Sequence, residues 1–306
     1  MTLSKVSNRS SLAQGISLGL SAYLLWGLVP IYWPHLQPAT PLEILAHRVV
    51  WSLLLVLVVI ITTGKTQSTL TVLANKRSLS LLAIASVLIA TNWGLFIWAS
   101  VNDHILDSAL GYYITPLVSV GLGVFFLKEK LRQLQWLAIS IAATAVIYLA
   151  TAHGKVPYVA VGLAASFGVY GYVKKLANVP AIESLAVETI VLSPLALGYL
   201  IWLGQHGNGT FGVHSSGHSI WLISSGVVTA VPLILFSASA IRLPLSTMGL
   251  LQYVGPTVQF IVGLWYFHEH MPTTRLVGFL LTWLALIILT YDGWRNRVAP
   301  SSKVVL

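Results

Sequence analysis

Two stretches of sequence share one pattern, Pro116-Leu-Val-Ser-Val-Gly-Leu-Gly-Val-Phe-Phe-Leu-Lys-Glu129 and Pro256-Thr-Val-Gln-Phe-Ile-Val-Gly-Leu-Trp-Tyr-Phe-His-Glu269. Each has a proline, a glycine seven residues later and a glutamate six residues after that, so the two stretches are offset by 140 residues. The same offset relates Glu43 to Glu183, and each of these lies at the start of an apolar run. Two matches at one offset predict a duplicated chain.

The apolar runs predict membrane-spanning helices. Of the 306 residues 56% are hydrophobic and only 8% are charged, whereas soluble proteins carry about 25% charged residues. A span needs about 20 apolar residues, and only helices satisfy their own backbone within each segment. The runs fall at 15–34, 42–62, 79–101, 106–127, 132–151, 156–173, 182–203, 218–240, 245–267 and 273–291. We therefore predict an all-α membrane protein with ten transmembrane helices, although the tight joins after spans 3 and 8 also fit eight or nine.

The distribution of basic residues supports the count of ten. With both termini in the cytoplasm, one lysine, Lys155, falls in an outside loop, and Arg48 and Arg275 lie within spans. The other basic residues fall inside: Lys5, Arg9, Lys65, Lys76, Arg77, Lys128, Lys130, Arg132, Lys174, Lys175, Arg242, Arg295, Arg297 and Lys303. This is the bias expected of cytoplasmic loops. Because the net charge of +9 is scattered in this way, it does not indicate nucleic-acid binding.

The two halves are predicted to be inverted relative to each other. Each half has five spans, and an odd number places the second copy upside down in the membrane. We expect a cytoplasmic tail (1–14), two five-helix repeats (15–151 and 156–291) and a second cytoplasmic tail (292–306). Inverted repeats are frequent in secondary transporters, where the halves rearrange around a site near the middle of the membrane.

Three further stretches resemble a known family. Residues 21–33 (Ser-Ala-Tyr-Leu-Leu-Trp-Gly-Leu-Val-Pro-Ile-Tyr-Trp), 43–52 (Glu-Ile-Leu-Ala-His-Arg-Val-Val-Trp-Ser) and 110–116 (Leu-Gly-Tyr-Tyr-Ile-Thr-Pro) resemble the RarD-type branch of the EamA family, in the drug/metabolite transporter superfamily. The resemblance implies ten helices around a cavity lined mainly by spans 1, 3, 4, 6, 8 and 9. It also implies transport of small metabolites or drugs, and the branch is named for a link to chloramphenicol sensitivity.

Ionisable residues within the predicted spans are candidates for ion coupling or gating, because a charge in hydrocarbon is costly. They are Glu43, His47, Arg48 and Glu188. Glu43 also fits a helix cap in Thr40-Pro41-Leu42-Glu43. His47 lies four residues beyond Glu43 on the same helical face, where a contact is either structural or relays protons.

Arg48 and Glu188 occupy repeat-related positions with opposite charges. Each lies about 6 residues into its helix from opposite faces of the membrane, which is about 9 Å deep at 1.5 Å per residue. A hydrocarbon core about 30 Å thick leaves about 12 Å between their depths. We therefore predict that the two do not form a direct ion pair.

Aromatic and amide side chains within the spans are candidates for substrate binding. The amides have no partner in hydrocarbon, so they either line a polar cavity or bond to neighbouring helices; the aromatic rings either line the cavity or pack towards lipid. The candidates are Trp26, Asn92, Trp93, Phe96, Tyr113, Gln252, Tyr253 and Gln259. A pocket of aromatic rings and neutral amides suits an amphiphilic or zwitterionic ligand.

Prolines interrupt several of these spans. A proline removes one backbone hydrogen bond and kinks a helix, so it serves either as a hinge or only in packing. The hinge candidates are Pro30, Pro116, Pro232 and Pro256.

The leading functional hypothesis is a secondary transporter, most simply an exporter, of small amphiphilic metabolites or drugs in the bacterial inner membrane. The alternatives are an intramembrane enzyme acting on lipid-soluble substrates, a carrier for facilitated diffusion or exchange, and a membrane scaffold. The chain has no cysteine and no hydrolase, metalloprotease or phosphate-loop motif. We expect no catalytic residues, no metal site and no cofactor. The expected partners are the lipid bilayer, a small-molecule substrate and, if transport is coupled, protons; the oligomeric state is left open.

Overall fold

Helices make up the regular structure of the part of the chain that the computed structural model describes, residues 2–101, 105–153, 158–268 and 273–298. A short 3₁₀ helix, Trp33–Leu36, follows the first helix. The α-helices in these ranges are α1 (Thr2–Tyr32), α2 (Pro41–Thr62), α3 (Thr66–Ala74), α4 (Lys76–Val101), α5 (Ile105–Phe125), α6 (Gln133–His153), α7 (Tyr158–Ala177), α8 (Ala181–Gln205), α9 (Ser216–Ala240), α10 (Leu245–Leu251), α11 (Val254–Trp265) and α12 (Thr273–Val298).

The ten apolar runs fall on these helices, with three differences. The first and last helices are longer than their runs: α1 begins at Thr2, within the stretch predicted as a tail, and α12 continues to Val298. A short helix that the hydropathy pattern did not predict, α3, lies between spans 2 and 3. The ninth run forms two helices instead of one. Three residues of the sequence patterns lie outside the described residues. They are Lys155 and Lys303 of the basic-residue distribution and Glu269 of the repeat.

The division of the ninth run has a cause in the sequence. Pro256 has no N–H to donate, and its ring clashes with the carbonyl of the residue four positions earlier, which is Gln252. The backbone turns at Gln252 and Tyr253, and the Gln252 carbonyl accepts a hydrogen bond from the N–H of Gly255 at 3.2 Å instead. The prediction of one continuous helix over 245–267 is therefore wrong at this point.

Polar caps begin several helices, among them α2 and α9. The Oγ1 atom of Thr40 accepts a hydrogen bond from the N–H of Glu43 at 3.2 Å, and Pro41 occupies the first helical position of α2. The Oγ atom of Ser215 accepts from the N–H of His218 at 3.1 Å at the start of α9. Such caps satisfy N–H groups that the first helical turn leaves free.

Several helices carry the length and surface of membrane spans. Within the described residues, six helical segments are long and apolar enough to cross a membrane: Ser11–Leu36, Pro41–Thr62, Lys76–Phe96, Gln133–Thr151, Ala181–Gln205 and Ser216–Ala240. Large apolar side chains on them face outwards; Leu195 is 76% exposed, Ile220 64% and Ile147 63%. A row of such side chains is unfavourable in water and suits lipid.

The helix bounds recur at the 140-residue offset. The starts at Pro41 and Lys76 are followed 140 residues later by starts at Ala181 and Ser216, and the end of α5 at Phe125 is followed by the end of α11 at Trp265. The offset therefore relates α1 to α7, α2 to α8, α4 to α9, α5 to α10–α11 and α6 to α12.

Helix packing follows the same relation. Helix α1 packs on α9 and on α11, and the related helix α7 packs on α4 and on α5. Helix α2 packs on α9, and the related helix α8 packs on α4 in the same way. Two helices also pack on their own counterparts, α2 on α8 and α6 on α12. Exchanging the two halves thus leaves this set of helix contacts unchanged, and most of the contacts join one half to the other.

The backbone after the fourth span repeats in detail after the ninth. Lys128 and His268, 140 residues apart, both adopt left-handed conformations, with φ of 57° and 52°. The preceding turn also repeats: the N–H of Leu127 donates to the carbonyl of Leu122 at 3.3 Å, and that of Phe267 to Val262 at 3.2 Å. A positive φ is uncommon for residues other than glycine, so the two turns share an unusual backbone conformation.

Candidate functional site

Arg48 of α2 lies among aromatic rings. Its guanidinium carbon is 4.5 Å from the ring centroid of Trp93 and 5.4 Å from that of Trp33, within the range of cation–π attraction. Its Nε atom donates a hydrogen bond to Oγ1 of Thr229 at 2.8 Å. This cation on α2 is partly exposed. It is contacted by residues of α4, of α9 and of the 3₁₀ helix after α1.

A second charged group lies between α7 and α8. Lys174 and Glu188 form an ion pair in which each side chain is only 2–3% exposed. The Tyr170 hydroxyl donates to Oε2 of Glu188 at 3.0 Å, and the Ser184 hydroxyl donates to Oε1 at 3.0 Å. Glu188 is thus neutralised by Lys174 and not by Arg48, as the depth argument predicted. Lys174, which the charge pattern assigned to a cytoplasmic segment, is a buried residue in the last turn of α7.

An aromatic cluster lies next to this ion pair. Tyr170 stacks on Phe236 with ring centroids 5.6 Å apart and an angle of 17°. Phe236 is also 5.7 Å from Trp26 and 5.5 Å from Phe167, and Tyr23 lies 5.6 Å from Trp26. Trp93, which contacts Arg48, packs against the same buried cluster as Trp26. Two of the predicted substrate residues, Trp26 and Trp93, therefore border one region.

Glu43, at the start of α2, contacts the connection between α8 and α9. Its Oε1 atom accepts hydrogen bonds from the N–H of Thr210 at 2.7 Å and from its hydroxyl at 2.9 Å. The Thr210 hydroxyl also lies 2.7 Å from Nε2 of His218. Because this hydroxyl has one hydrogen and donates it to Glu43, it accepts from the Nε2–H of His218. The carboxylate thus contacts the connection after α8, while the cap predicted at this position is made by the Thr40 hydroxyl.

Glu183 makes the corresponding contact at the start of α8. Its Oε1 atom accepts from the Ser68 hydroxyl of α3 at 3.0 Å, and its Oε2 lies 3.6 Å from Nζ of Lys65. Each glutamate therefore links the N-terminus of its helix to a connection in the other half of the chain. Glu43 contacts the connection between α8 and α9, and Glu183 contacts α3, which lies between α2 and α4. Both are almost fully buried, 1% exposed for Glu43 and 3% for Glu183.

His47 does not join Glu43 in a hydrogen bond among the described contacts. Its Nδ1 atom accepts from the indole Nε1–H of Trp51 at 3.2 Å, and its ring lies 4.9 Å from that of Phe211. The contact expected from the four-residue spacing of Glu43 and His47 is therefore replaced by contacts to Thr210 and Trp51.

The amide candidates bond mainly to neighbouring helices. Nδ2 of Asn92 donates to the Leu163 carbonyl at 2.9 Å and to the Ser166 hydroxyl at 3.0 Å, both on α7. Nε2 of Gln252 donates to the Ser119 hydroxyl of α5 at 3.1 Å. Both amides therefore donate to neighbouring helices, while the Oε1 atom of Gln252 is buried and has no hydrogen-bond partner in the described part of the chain. Gln259 of α11 is partly buried.

The other aromatic candidates belong to two further clusters. The Tyr253 hydroxyl donates to the Tyr113 carbonyl at 3.3 Å, a contact between repeat-related positions. Both tyrosines belong to a separate cluster with Phe279 of α12. Phe96 packs against a third cluster and lies 6.1 Å from Tyr112. The predicted aromatic substrate residues therefore lie in three clusters, with Trp26 and Trp93 in the first, Tyr113 and Tyr253 in the second and Phe96 in the third.

The four predicted hinge prolines differ in their surroundings. Pro30 lies near the end of α1, and Pro116 and Pro232 are buried inside α5 and α9, which continue through them. Only Pro256 accompanies a break, between α10 and α11.

Several residues of the charged and aromatic groups were not predicted: Lys174, Thr210, Thr229, Phe167 and Phe236. Thr229 lies 181 residues from Arg48 in the sequence, so no local pattern relates them. A signal existed for Lys174, because the short connection 178–180 places the end of α7 beside the start of α8. A lysine before this turn and a glutamate after it are then candidates to pair.

Comparison with known proteins gives the class. A model of the EamA-like transporter family matches residues 13–151. The chain is 48% identical to Protein RarD of Streptomyces exfoliatus over 92% of its own length and 90% of that protein. It is 41% identical to the uncharacterized transporter YojE of Bacillus subtilis, over 94% and 97% of the two chains. A crystal structure of another protein superposes with a TM-score of 0.71 at 16% identity, over 91% of this chain and 98% of that one, which shows a shared fold.

These similarities and the apolar helices define a multi-pass membrane protein of a transporter class. More specifically, the chain belongs to the EamA family as a RarD-type member. Its family and relatives are transporters by name rather than enzymes, so the bilayer and a small-molecule substrate are its partners.

Proposed function

We propose that this protein is a secondary transporter that exports small amphiphilic metabolites or drugs across the bacterial inner membrane by alternating access. In this proposal ten spans form two inverted halves, and both termini lie in the cytoplasm. The recurrence of helix bounds and contacts at the 140-residue offset supports the repeat, because inverted repeats are the usual basis of alternating access.

The observation that carries the proposal is the reciprocal pair of carboxylate contacts. Glu43 binds Thr210 where α2 begins and α8 ends, and Glu183 binds Ser68 where α8 begins and α2 ends. Since α2 and α8 pack on each other, the two contacts lie at opposite ends of one helix pair. We assign them the role of gates: one opens when the halves rock apart on its side while the other stays closed.

The partly exposed region around Arg48, with Trp33 and Trp93, is the proposed entrance to the substrate site. Trp26 and the cluster on Phe236 extend it along apolar rings. Aromatic faces next to a cation suit a molecule with an apolar body and a polar group. In the same proposal the break at Pro256 and the helical prolines Pro30, Pro116 and Pro232 serve as hinges.

Glu188 is the proposed coupling residue. A buried carboxylate paired with a lysine and two hydroxyls can take up a proton only if the pair separates, which links its protonation to the conformation of α7 and α8. Glu43 and His47 are further candidates at the other end of the spans. Exchange or facilitated diffusion without protons is the alternative mechanism.

Flux into proteoliposomes tests this proposal. We expect protein-dependent, saturable movement of chloramphenicol, used as a neutral amphiphilic probe because of the link that names the RarD-type branch. We expect an imposed pH gradient to drive its accumulation above equilibrium, and Glu188→Gln to abolish the accumulation while exchange continues. Flux without accumulation in the wild-type protein would favour the uncoupled mechanism. If flux equals that of protein-free vesicles for chloramphenicol and for charged aromatic probes, the transport proposal is contradicted.

A further inference from the structure

The cation at Arg48 differs from the ion-paired charges of the described chain. Lys174 and Glu188 neutralise each other, Asp292 pairs with Arg132, and Glu183 lies beside Lys65. Glu43 has no basic partner among the described residues; its Oε1 atom accepts two hydrogen bonds from Thr210, and its Oε2 atom accepts none there. A charge in a low-dielectric region is costly unless it is paired or hydrogen-bonded, and the three ion pairs follow that rule.

Arg48 has no such neutralising partner. Among the described residues no carboxylate forms an ion pair with it, and only its Nε atom donates a hydrogen bond, to a neutral threonine. The titratable side chains that interact with its charge are the hydroxyls of Tyr32 and Tyr112, which are neutral at physiological pH. The two terminal Nη atoms make no hydrogen bond in the described part of the chain, and the side chain is partly exposed.

We propose that Arg48 binds a carboxylate of the transported molecule, with the apolar body of that molecule against Trp33 and Trp93. The inference rests on the proposed transport function and names the chemical class of its substrate: a small carboxylate with an aromatic or aliphatic body. The anion supplies the counter-charge that the described part of the chain does not.

The geometry matches this class in two ways. A guanidinium is planar, and its free Nη edge presents parallel N–H groups that bind a carboxylate through two hydrogen bonds. With Nε held by Thr229 and the rings of Trp93 and Trp33 within 4.5 and 5.4 Å, the group is fixed in orientation before the ligand arrives. A fixed donor loses little conformational entropy on binding.

A purely structural role for Arg48 is the competing explanation, in which its contacts with Thr229 and the two rings hold α2 against α9. The two roles predict opposite effects on stability. If Arg48 binds an anionic ligand, the ligand-free protein carries the desolvation cost of an unpaired cation. Replacing Arg48 with an uncharged side chain of similar length removes that cost and does not lower the stability. If Arg48 is structural, the same change removes a useful contact.

Ligand binding by the full chain in detergent tests the inference directly, with three probes that differ mainly in charge: phenylacetate, phenylacetamide and phenethylammonium. We expect calorimetry or tryptophan fluorescence to show phenylacetate binding at least about 10-fold more tightly than the other two. Arg48→Gln should weaken it by about 10- to 100-fold, the usual worth of a charge-assisted pair. Arg48→Lys should lose less, and Arg77→Gln, which removes an exposed charge at the start of α4, should change nothing.

The unfolding midpoint of the ligand-free protein gives a readout that does not depend on the choice of probe. We expect Arg48→Met to leave the midpoint unchanged or to raise it, whereas Glu188→Gln lowers it. A clear fall for Arg48→Met, equal probe affinities, or no binding of phenylacetate would each overturn the inference. Any of these results could be combined with saturable chloramphenicol flux that persists in Arg48→Gln. That combination would reject the inference that the substrate is a carboxylate and would leave the transport proposal intact.

Discussion

Glu188→Ala is expected to destabilise the protein by about 3–5 kcal/mol, because it leaves Lys174 as a buried cation without a counter-charge. Lys174 is 3% exposed, and its ammonium is held by Glu188 and Ser184. Removing the carboxylate also frees the hydroxyls of Tyr170 and Ser184 from their acceptor. The measurement is the free energy of unfolding in mixed micelles, followed by tryptophan fluorescence or circular dichroism.

The control for this prediction is the double variant. Lys174→Met combined with Glu188→Leu removes both charges and leaves an apolar pair of similar size. We expect it to recover most of the stability that either single change loses, so the coupling energy in a double-mutant cycle is large. Two single losses that simply add in the double variant would show that Lys174 and Glu188 do not act as a pair.

Gly226→Ala is expected to reduce flux by more than about 10-fold and to destabilise the protein by about 1–3 kcal/mol, the usual range for overpacking. A Cβ at this position of α9 would lie 2.5 Å from the carbonyl carbon of Trp51 and 2.8 Å from the N atom of Ser52. Both atoms belong to the backbone of α2, so the helices must separate. The Ser52 hydroxyl bond to the Gly226 carbonyl, 3.1 Å, would lengthen as well.

The same separation would reach Arg48. Thr229 lies three residues beyond Gly226 on α9, and Arg48 lies three residues before Trp51 on α2, so their 2.8 Å hydrogen bond crosses the same interface. Gly198→Ala on α8 is the matched control, because a Cβ there meets nothing within 4 Å. Equal flux and equal stability for the two alanine variants would refute the close contact of α2 with α9.

The sequence predicted the position of the helices well and their contacts poorly. An apolar run of about 20 residues has a helix as its stable form in a bilayer, so the runs at 42–62 and 182–203 lie on α2 and α8. Hydropathy gives no information on an amphipathic surface helix such as α3, or on where a long apolar run divides. The division of the ninth run is marked in the sequence by Pro256. A proline inside a helix is compatible with either a kink or a break, so it did not predict which of the two occurs.

The candidate site was predicted in part, for the same reason. Arg48 and Glu188 were candidates because they are charged residues within predicted spans. Arg48 donates a hydrogen bond to Thr229, and Glu188 forms an ion pair with Lys174. Their partners come from distant segments or from a residue that resembled a cytoplasmic charge, as Lys174 did. The amides show the converse, because Asn92 and Gln252 were singled out for lack of partners in lipid and found partners on α7 and α5.

The inverted repeat is the central claim, and the related turns at Lys128 and His268 allow a direct test. Both residues are exposed and share a left-handed backbone, and the chain has no natural cysteine, so Lys128→Cys and His268→Cys each give a single labelling site. A membrane-impermeant maleimide applied to intact spheroplasts should label the variant at His268 and should reach the variant at Lys128 only in inside-out vesicles. Labelling of both variants from the same side of the membrane would contradict the inverted arrangement of the two halves.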